Sequence, residues 1–133
     1  MAVKPVREGF HTITPYLIAQ DAASLIDFVK QAFEAIEHFR GTGSAGGIHA
    51  ELKIGDSMVM IGGGKGDGLW SGEPSPATLY LYVNDADAVY KRALQAGASS
   101  IMEPANQPYG DRLGGVKDAF GNIWYISTHI EDV

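Results

Sequence analysis

The chain repeats itself. Laying Thr14–Ala35 over Thr78–Ser99, an offset of 64 residues, matches Thr14 with Thr78, Tyr16 with Tyr80, Leu17 with Leu81, Asp21 with Asp85, Ala22 with Ala86, Gln31 with Gln95 and Ala32 with Ala96. The apolar stripe Leu25, Ile26, Val29 falls on Val89, Tyr90, Ala93, and an offset of 65 sets Met60 over Tyr125 and Ile61 over Ile126. These matches sit on strand centres and cap positions. A repeat of this size means two copies of one supersecondary unit, each too short to bury its apolar face alone.

Each copy has the same order of signals. In the first, Thr12 to Ile18 alternates, with Ile13, Pro15 and Leu17 on one face and Thr12, Thr14, Tyr16 and Ile18 on the other. Pro15 has no N–H for a ladder, which favours a weakly paired edge position. Asp21 suits an N-cap, and Leu25, Ile26, Val29 and Phe33 predict a helix to about Phe33. A short strand over Ile36–Gly41 follows, then a Gly-rich turn to Gly47. The next strand alternates Ile48, Ala50, Leu52 and Ile54 against His49, Glu51 and Lys53. Gly55-Asp56 is a two-residue hairpin signal, and Ser57–Ile61 returns. In the second copy the expectations are a strand over Ala77–Val83, a cap at Asp85 and a helix ending near Gly97. After it come a strand over Ser99–Glu103, a loop from Pro104 to Gly110, and a strand from Asp111 to about Lys117. Last, Asp118-Ala-Phe-Gly-Asn122 reads as a tight turn in which Gly121 takes positive φ. The strand Ile123–Thr128 then places Tyr125 with Ile123 and Ser127, opposite Trp124, Ile126 and Thr128. The expected architecture is α+β: a single domain over residues 1–133 built from paired βαβββ modules, about 10–62 and 77–130, joined by a Gly/Ser/Pro-rich linker over 62–76. Two such sheets make a curved mixed sheet with a cup-shaped cavity lined by alternate residues.

Composition narrows the function. A net charge of −6 argues against nucleic-acid or anionic-membrane partners, mildly favours cationic ligands, and also serves solubility. The absence of cysteine removes disulfides, thiolate nucleophiles and sulfur-ligated zinc. No apolar run approaches the ~20 residues that span a bilayer and no signal-peptide core is present, so a cytoplasmic location is expected.

His49 and Glu51 lie two apart on one strand and therefore share a face. They fit an acid/base pair or two ligands of a displaced metal site, or a polar strand face covered by water or a partner subunit, the last being favoured. His-x-Glu also opens the zinc deaminase signature, whose Cys-x-x-Cys partner is missing here. Tyr16, Tyr80 and Tyr125 fall on the inner face with Thr14 and Thr78. They give an aromatic, hydroxyl-edged lining for a planar or partly apolar ligand, or simply fill the cup. Trp70 sits among Gly, Asp and Ser, where it can fold over the cup or bury against another subunit. Arg112 can hold an anionic ligand group or a structural carboxylate, the latter being favoured. Gly62-Gly-Gly-Lys-Gly-Asp-Gly68 is no phosphate loop, because Lys65 is followed by Gly66 and then by Pro74 and Pro76 rather than by a helix. His11 and His129 have no spacing partner and receive no role.

Thr14-Pro-Tyr-Leu17 with Ile26-Asp-Phe28, Leu81-Tyr-Val-Asn-Asp85, Tyr109-Gly-Asp-Arg112 and Asp118-Ala-Phe-Gly-Asn122, in this order, resemble the vicinal oxygen chelate superfamily. That superfamily takes in glyoxalases, bleomycin- and fosfomycin-resistance proteins and extradiol dioxygenases, and the nearest likeness is to its PhnB-like branch. The resemblance runs from about Phe10 to Asp132 and implies the fold more firmly than any activity. Metal-binding relatives carry four inward ligands, His with Glu or Gln, on the first and last strands of each half. The matching positions here are Thr14, Met60, Thr78 and Tyr125, none of which suits zinc, nickel, manganese or iron. The resemblance therefore implies a homodimer that binds a small molecule without metal or cofactor. The alternative is a lyase- or isomerase-type enzyme with a non-standard site that includes His49 and Glu51.

Overall fold

The structure is a computed structural model, and it describes residues 3–43, 46–63 and 74–133. Trp70 and most of the expected linker lie outside the described residues. Among the described residues the elements are, in chain order, β1 (Tyr16–Ile18), α1 (Ala22–Phe33), β2 (Ile36–Thr42), β3 (Ile48–Ile54), β4 (Ser57–Gly62), β5 (Thr78–Tyr82), α2 (Ala86–Gln95), β6 (Ser99–Asn106), β7 (Asp111–Lys117) and β8 (Ile123–His129).

Two four-stranded mixed sheets result, ordered β1-β4-β3-β2 and β5-β8-β7-β6. In each, the first strand of the copy pairs in parallel with the last, and the remaining pairs are antiparallel. The repeat is visible in the register: Tyr16 lies opposite Met60 and Tyr80 opposite Tyr125. The caps repeat as well. Asp21 accepts from the Ser24 amide at 3.1 Å, and Asp85 accepts from the Ala88 amide at 3.1 Å. The βαβββ order expected from the sequence is thus present twice, and the fold is α+β.

The chain divides into two compact units, one of residues 1–26 and 35–75, the other of residues 27–34 and 76–133. In the first, Leu17, Ala50, Leu52, Val59 and Ile61 are buried on one face of the sheet. In the second, Trp124, Ile126 and Val116 are buried on one face. Phe33 and Phe28 pack on Trp124 at ring-centroid distances of 4.7 and 6.5 Å.

The turn before β8 is built on one carboxylate. Asp118 is buried and accepts from the amides of Phe120 and Asn122, from Asn122 Nδ2 and from Trp124 Nε1, all within 3.0 Å. Gly121 takes φ of 90°. Asn122 in turn accepts from the Ala77 amide, which fixes the entry to β5.

Two expected boundaries are corrected. Thr12 to Pro15 is not strand: the ladder starts at Tyr16, immediately after the residue that lacks an N–H, and Ile13 is largely exposed. Strand β6 does not stop at Glu103 but runs through Pro104 to Asn106. It is an edge strand, so Pro104 can sit at a pairing irregularity between Met102 and Ala105 without breaking the sheet. Among the described residues, no helix is long and apolar enough to cross a membrane.

Candidate functional site

Strand pairing decides which side chains meet on the polar face of the first sheet. Tyr16, Met60, Glu51 and Phe39 form one transverse row, since each lies opposite the next in register. His49 is two residues from Glu51 on β3 and lies opposite Gly62. The absent side chain at Gly62 leaves room for the Tyr16 ring, which a Cβ there would strike.

The result is a continuous hydrogen-bonded chain. His49 Nε2 meets Glu51 Oε2 at 3.1 Å, and His49 Nδ1 meets the Tyr16 hydroxyl at 2.9 Å. A carboxylate only accepts, so Nε2 carries a hydrogen, and in that tautomer Nδ1 accepts from the Tyr16 hydroxyl. Glu51 is then clamped by Arg7, whose Nη1 and Nη2 donate to its two oxygens at 3.0 and 2.9 Å. The guanidinium also lies 4.5 Å from the Phe10 ring centroid. The Arg7 hydrogen bonds, ahead of those from His49, hold Glu51 below the usual carboxylate range although burial opposes them. Burial, aided by the Glu51 charge, pushes the Tyr16 phenol up.

The second sheet carries a centre of its own, built from other register positions. Tyr80, Tyr125 and Met102 share a row, with Gly115 between the last two giving the Tyr125 ring its space. The Tyr80 ring lies 5.3 Å from that of Tyr82 and 6.2 Å from that of Tyr125. Asp111, only 3% exposed, accepts from Tyr80 at 2.6 Å and from Tyr82 at 3.3 Å. It also binds His129 Nδ1 at 2.8 Å, while His129 Nε2 meets Asp132 at 2.7 Å. Burial, then the Asp111 hydrogen bond, raises the Tyr80 phenol to about 12. The hydrogen bond from Tyr80, then that from His129, lowers Asp111.

Both His129 nitrogens face carboxylates, so the imidazolium is the form that satisfies them. Asp111 first and Asp132 second raise its pKa above the ordinary 6.5. Below about pH 6.5 the ring is charged in the folded and unfolded chain alike and the stabilisation is complete, and it is lost as pH rises through the raised folded value. The difference in melting temperature between the protein and a His129→Gln variant should therefore be largest near pH 6 and shrink as pH rises through the raised folded value. A difference that grows over that range would contradict this assignment.

The expected candidates separate into groups. Tyr16, His49, Glu51 and Met60 are together on the first sheet, with Thr14 half-buried just before β1. Thr78, Tyr80 and Tyr125 share the polar face of the second sheet. Arg112 is on the opposite face and is held by both oxygens of Asp87 at 2.8 and 3.1 Å and by Asn106 at 3.0 Å. Arg7, Asp111, Tyr82 and His129 were not anticipated. Arg7 lies in a stretch without periodicity, and the Asp111–His129 pair follows only from the β7–β8 register.

At the four positions that the resemblance implies as ligands, the donor chemistry does not fit a divalent metal. Hydroxyls at Thr14 and Thr78, a thioether at Met60 and a phenol at Tyr125 are poor ligands for zinc, nickel, manganese or iron. Glu51 could serve a displaced site only by giving up Arg7.

The family model for the glyoxalase/bleomycin resistance protein/dioxygenase superfamily matches residues 9–126. The chain belongs to this superfamily. An uncharacterized protein of Mycobacterium bovis is 40% identical over 129 residues, covering 91% of this chain and 85% of its own. The fold is shared with TioX from Micromonospora sp. ML1 (TM-score 0.73, 24% identity, 90% of this chain and 99% of that one). It is shared too with a glyoxalase/bleomycin resistance protein/dioxygenase family enzyme from Burkholderia phytofirmans PsJN (TM-score 0.72, 21% identity, 86% and 95%). At these identities the two solved structures speak for the fold alone.

Proposed function

We propose that this superfamily member is a metal-free small-molecule-binding protein that takes a planar or partly apolar ligand on the polar, aromatic faces of its sheets. The observation that carries this reading is the closed chain Arg7–Glu51–His49–Tyr16. Its groups neutralise and orient one another, which suits recognition of a ligand better than a base waiting for a proton. The half-buried rings of Tyr16 and Tyr125 and the exposed rings of Tyr80 and Tyr82 offer apolar faces with hydroxyl edges. Arg112, committed to Asp87 and Asn106, takes a structural part. The Thr14–Leu17 and Tyr109–Arg112 stretches favour the PhnB-like branch. Exposed Ile36 and Phe39 on edge strand β2 favour association of two copies.

A second reading is favoured by the same pair of residues: a lyase- or isomerase-type enzyme using His49 and Glu51. A thermal-shift screen against planar aromatic and cationic compounds separates the two. Ligand at 100 times Kd should stabilise by about 2.7 kcal/mol. Tyr16→Ala or Tyr125→Ala should remove the effect for compounds bound at that ring, and no product should form. Turnover that His49→Ala abolishes would overturn the binding reading.

A further inference from the structure

The pairing of Arg7 with Glu51 is lopsided. Glu51 stands in the middle of β3 with only 6% of its surface exposed, between Met60 and Phe39 across the neighbouring strands. Its direction is fixed from within the sheet: His49 holds Oε2, Tyr16 holds His49, and Gly62 makes room for Tyr16. Arg7, by contrast, comes from a segment outside every helix and strand, and 66% of its side chain is exposed. The carboxylate is built into the scaffold, whereas the cation lies on it from outside.

A carboxylate in such a place, whose low exposure includes the cover Arg7 gives it, is stabilised by a positive partner. What Arg7 supplies is specific: two parallel N–H donors, one to each oxygen, from a flat delocalised cation. We propose that Arg7 is an intramolecular stand-in for a ligand bearing a guanidinium or amidinium group, and that the N-terminal strap carrying it competes with that ligand for Glu51. The proposal rests on the binding reading above and adds to it the ligand class and a built-in competitor. The Phe39 and Tyr16 rings, on either side of His49 at centroid distances of 6.3 and 5.5 Å, offer an aromatic border for the group attached to such a cation. A simple ammonium would meet only part of the fork.

Competition has a direction that a merely structural ion pair lacks. If the strap is docked about nine-tenths of the time, the apparent Kd for an external ligand is about ten-fold weaker than the intrinsic one. Removing the Arg7 charge should therefore tighten binding. The experiment is calorimetric titration of benzamidinium, with neutral benzamide as the isosteric control, into the protein, Arg7→Ala, Arg7→Met, Glu51→Gln and the double variant Arg7→Ala/Glu51→Gln. Arg7→Met keeps an aliphatic stem against Phe10 if the shorter side chain unsettles the segment.

The expected result is about ten-fold tighter benzamidinium binding by Arg7→Ala and Arg7→Met, no such gain for benzamide, and loss of benzamidinium binding in both Glu51→Gln proteins. Equal or weaker benzamidinium binding by the Arg7 variants overturns the proposal, as does a gain that survives Glu51→Gln. Should neutral aromatic compounds bind the protein while the Arg7 variants show no gain for the cation, the strap fails and the binding reading stands. Absence of binding by any compound to any variant removes both.

Discussion

Asp118→Ala is expected to cost on the order of 3–5 kcal/mol, or roughly 10–20 °C in melting temperature. The carboxylate serves four donors at once, and three of them belong to buried Asn122 and Trp124. Truncation leaves those N–H groups without acceptors in a place water does not reach, so the desolvation cost of each is felt in full. It also frees Trp124, the largest fully buried side chain among the described residues, from the contact that fixes its ring against Phe33 and Phe28. Asp118→Asn keeps one carbonyl acceptor and should fall between the two. Because the indole N–H is one of the four donors, Asp118→Ala and Trp124→Phe should be non-additive, the double variant losing less than the two single losses combined. Thermal unfolding followed by circular dichroism measures all of these. A loss below about 1 kcal/mol for Asp118→Ala would mean that the turn does not depend on its carboxylate.

Gly110→Ala should be the second large loss, about 2–4 kcal/mol. Gly110 has φ of 93°, where a side chain is strained in any surroundings, and here a Cβ would also run directly into the Glu131 carbonyl oxygen. The segment after β8 would have to move. Its movement breaks the bonds from the Ile130 and Glu131 amides to the Gly110 carbonyl, at 2.8 and 3.1 Å, and strains the His129–Asp111 pair beside them. Gly97→Ala is the control. It has φ of 111° but open space around the added methyl, so it should cost only the conformational strain, about 1–2 kcal/mol. Equal losses at the two positions would show that the contact with Glu131 does not matter.

What the sequence disclosed follows from periodicity and capping. Asp21 and Asp85 with their apolar stripes located both helices, and the alternation of Ile48–Ile54 located β3 to the residue. The separation of Tyr125 from Trp124 onto opposite faces also followed from alternation alone. The start of β1 and the end of β6 were misjudged at Pro15 and Pro104, because proline's effect depends on which neighbour the strand has, and that is a property of the sheet. His49 and Glu51 could be set on a shared face, and the structure joins Tyr16 to them in one hydrogen-bonded chain. Arg7 was out of reach, since nothing local ties a residue of the irregular lead-in to a carboxylate 44 positions later. Asp111 and His129 were missed for a related reason. Their meeting depends on a β7–β8 register that no short motif encodes.

The central claim, that this member of a superfamily known for metal sites works without one, rests on donors that a divalent ion does not favour. Elemental analysis of protein purified without added metal or chelator tests it most directly. The expected result is zinc, manganese, nickel and iron each far below one equivalent per chain, and a melting temperature unchanged by EDTA. Close to one equivalent of any of these metals, removed by His49→Ala or Glu51→Ala, would contradict it.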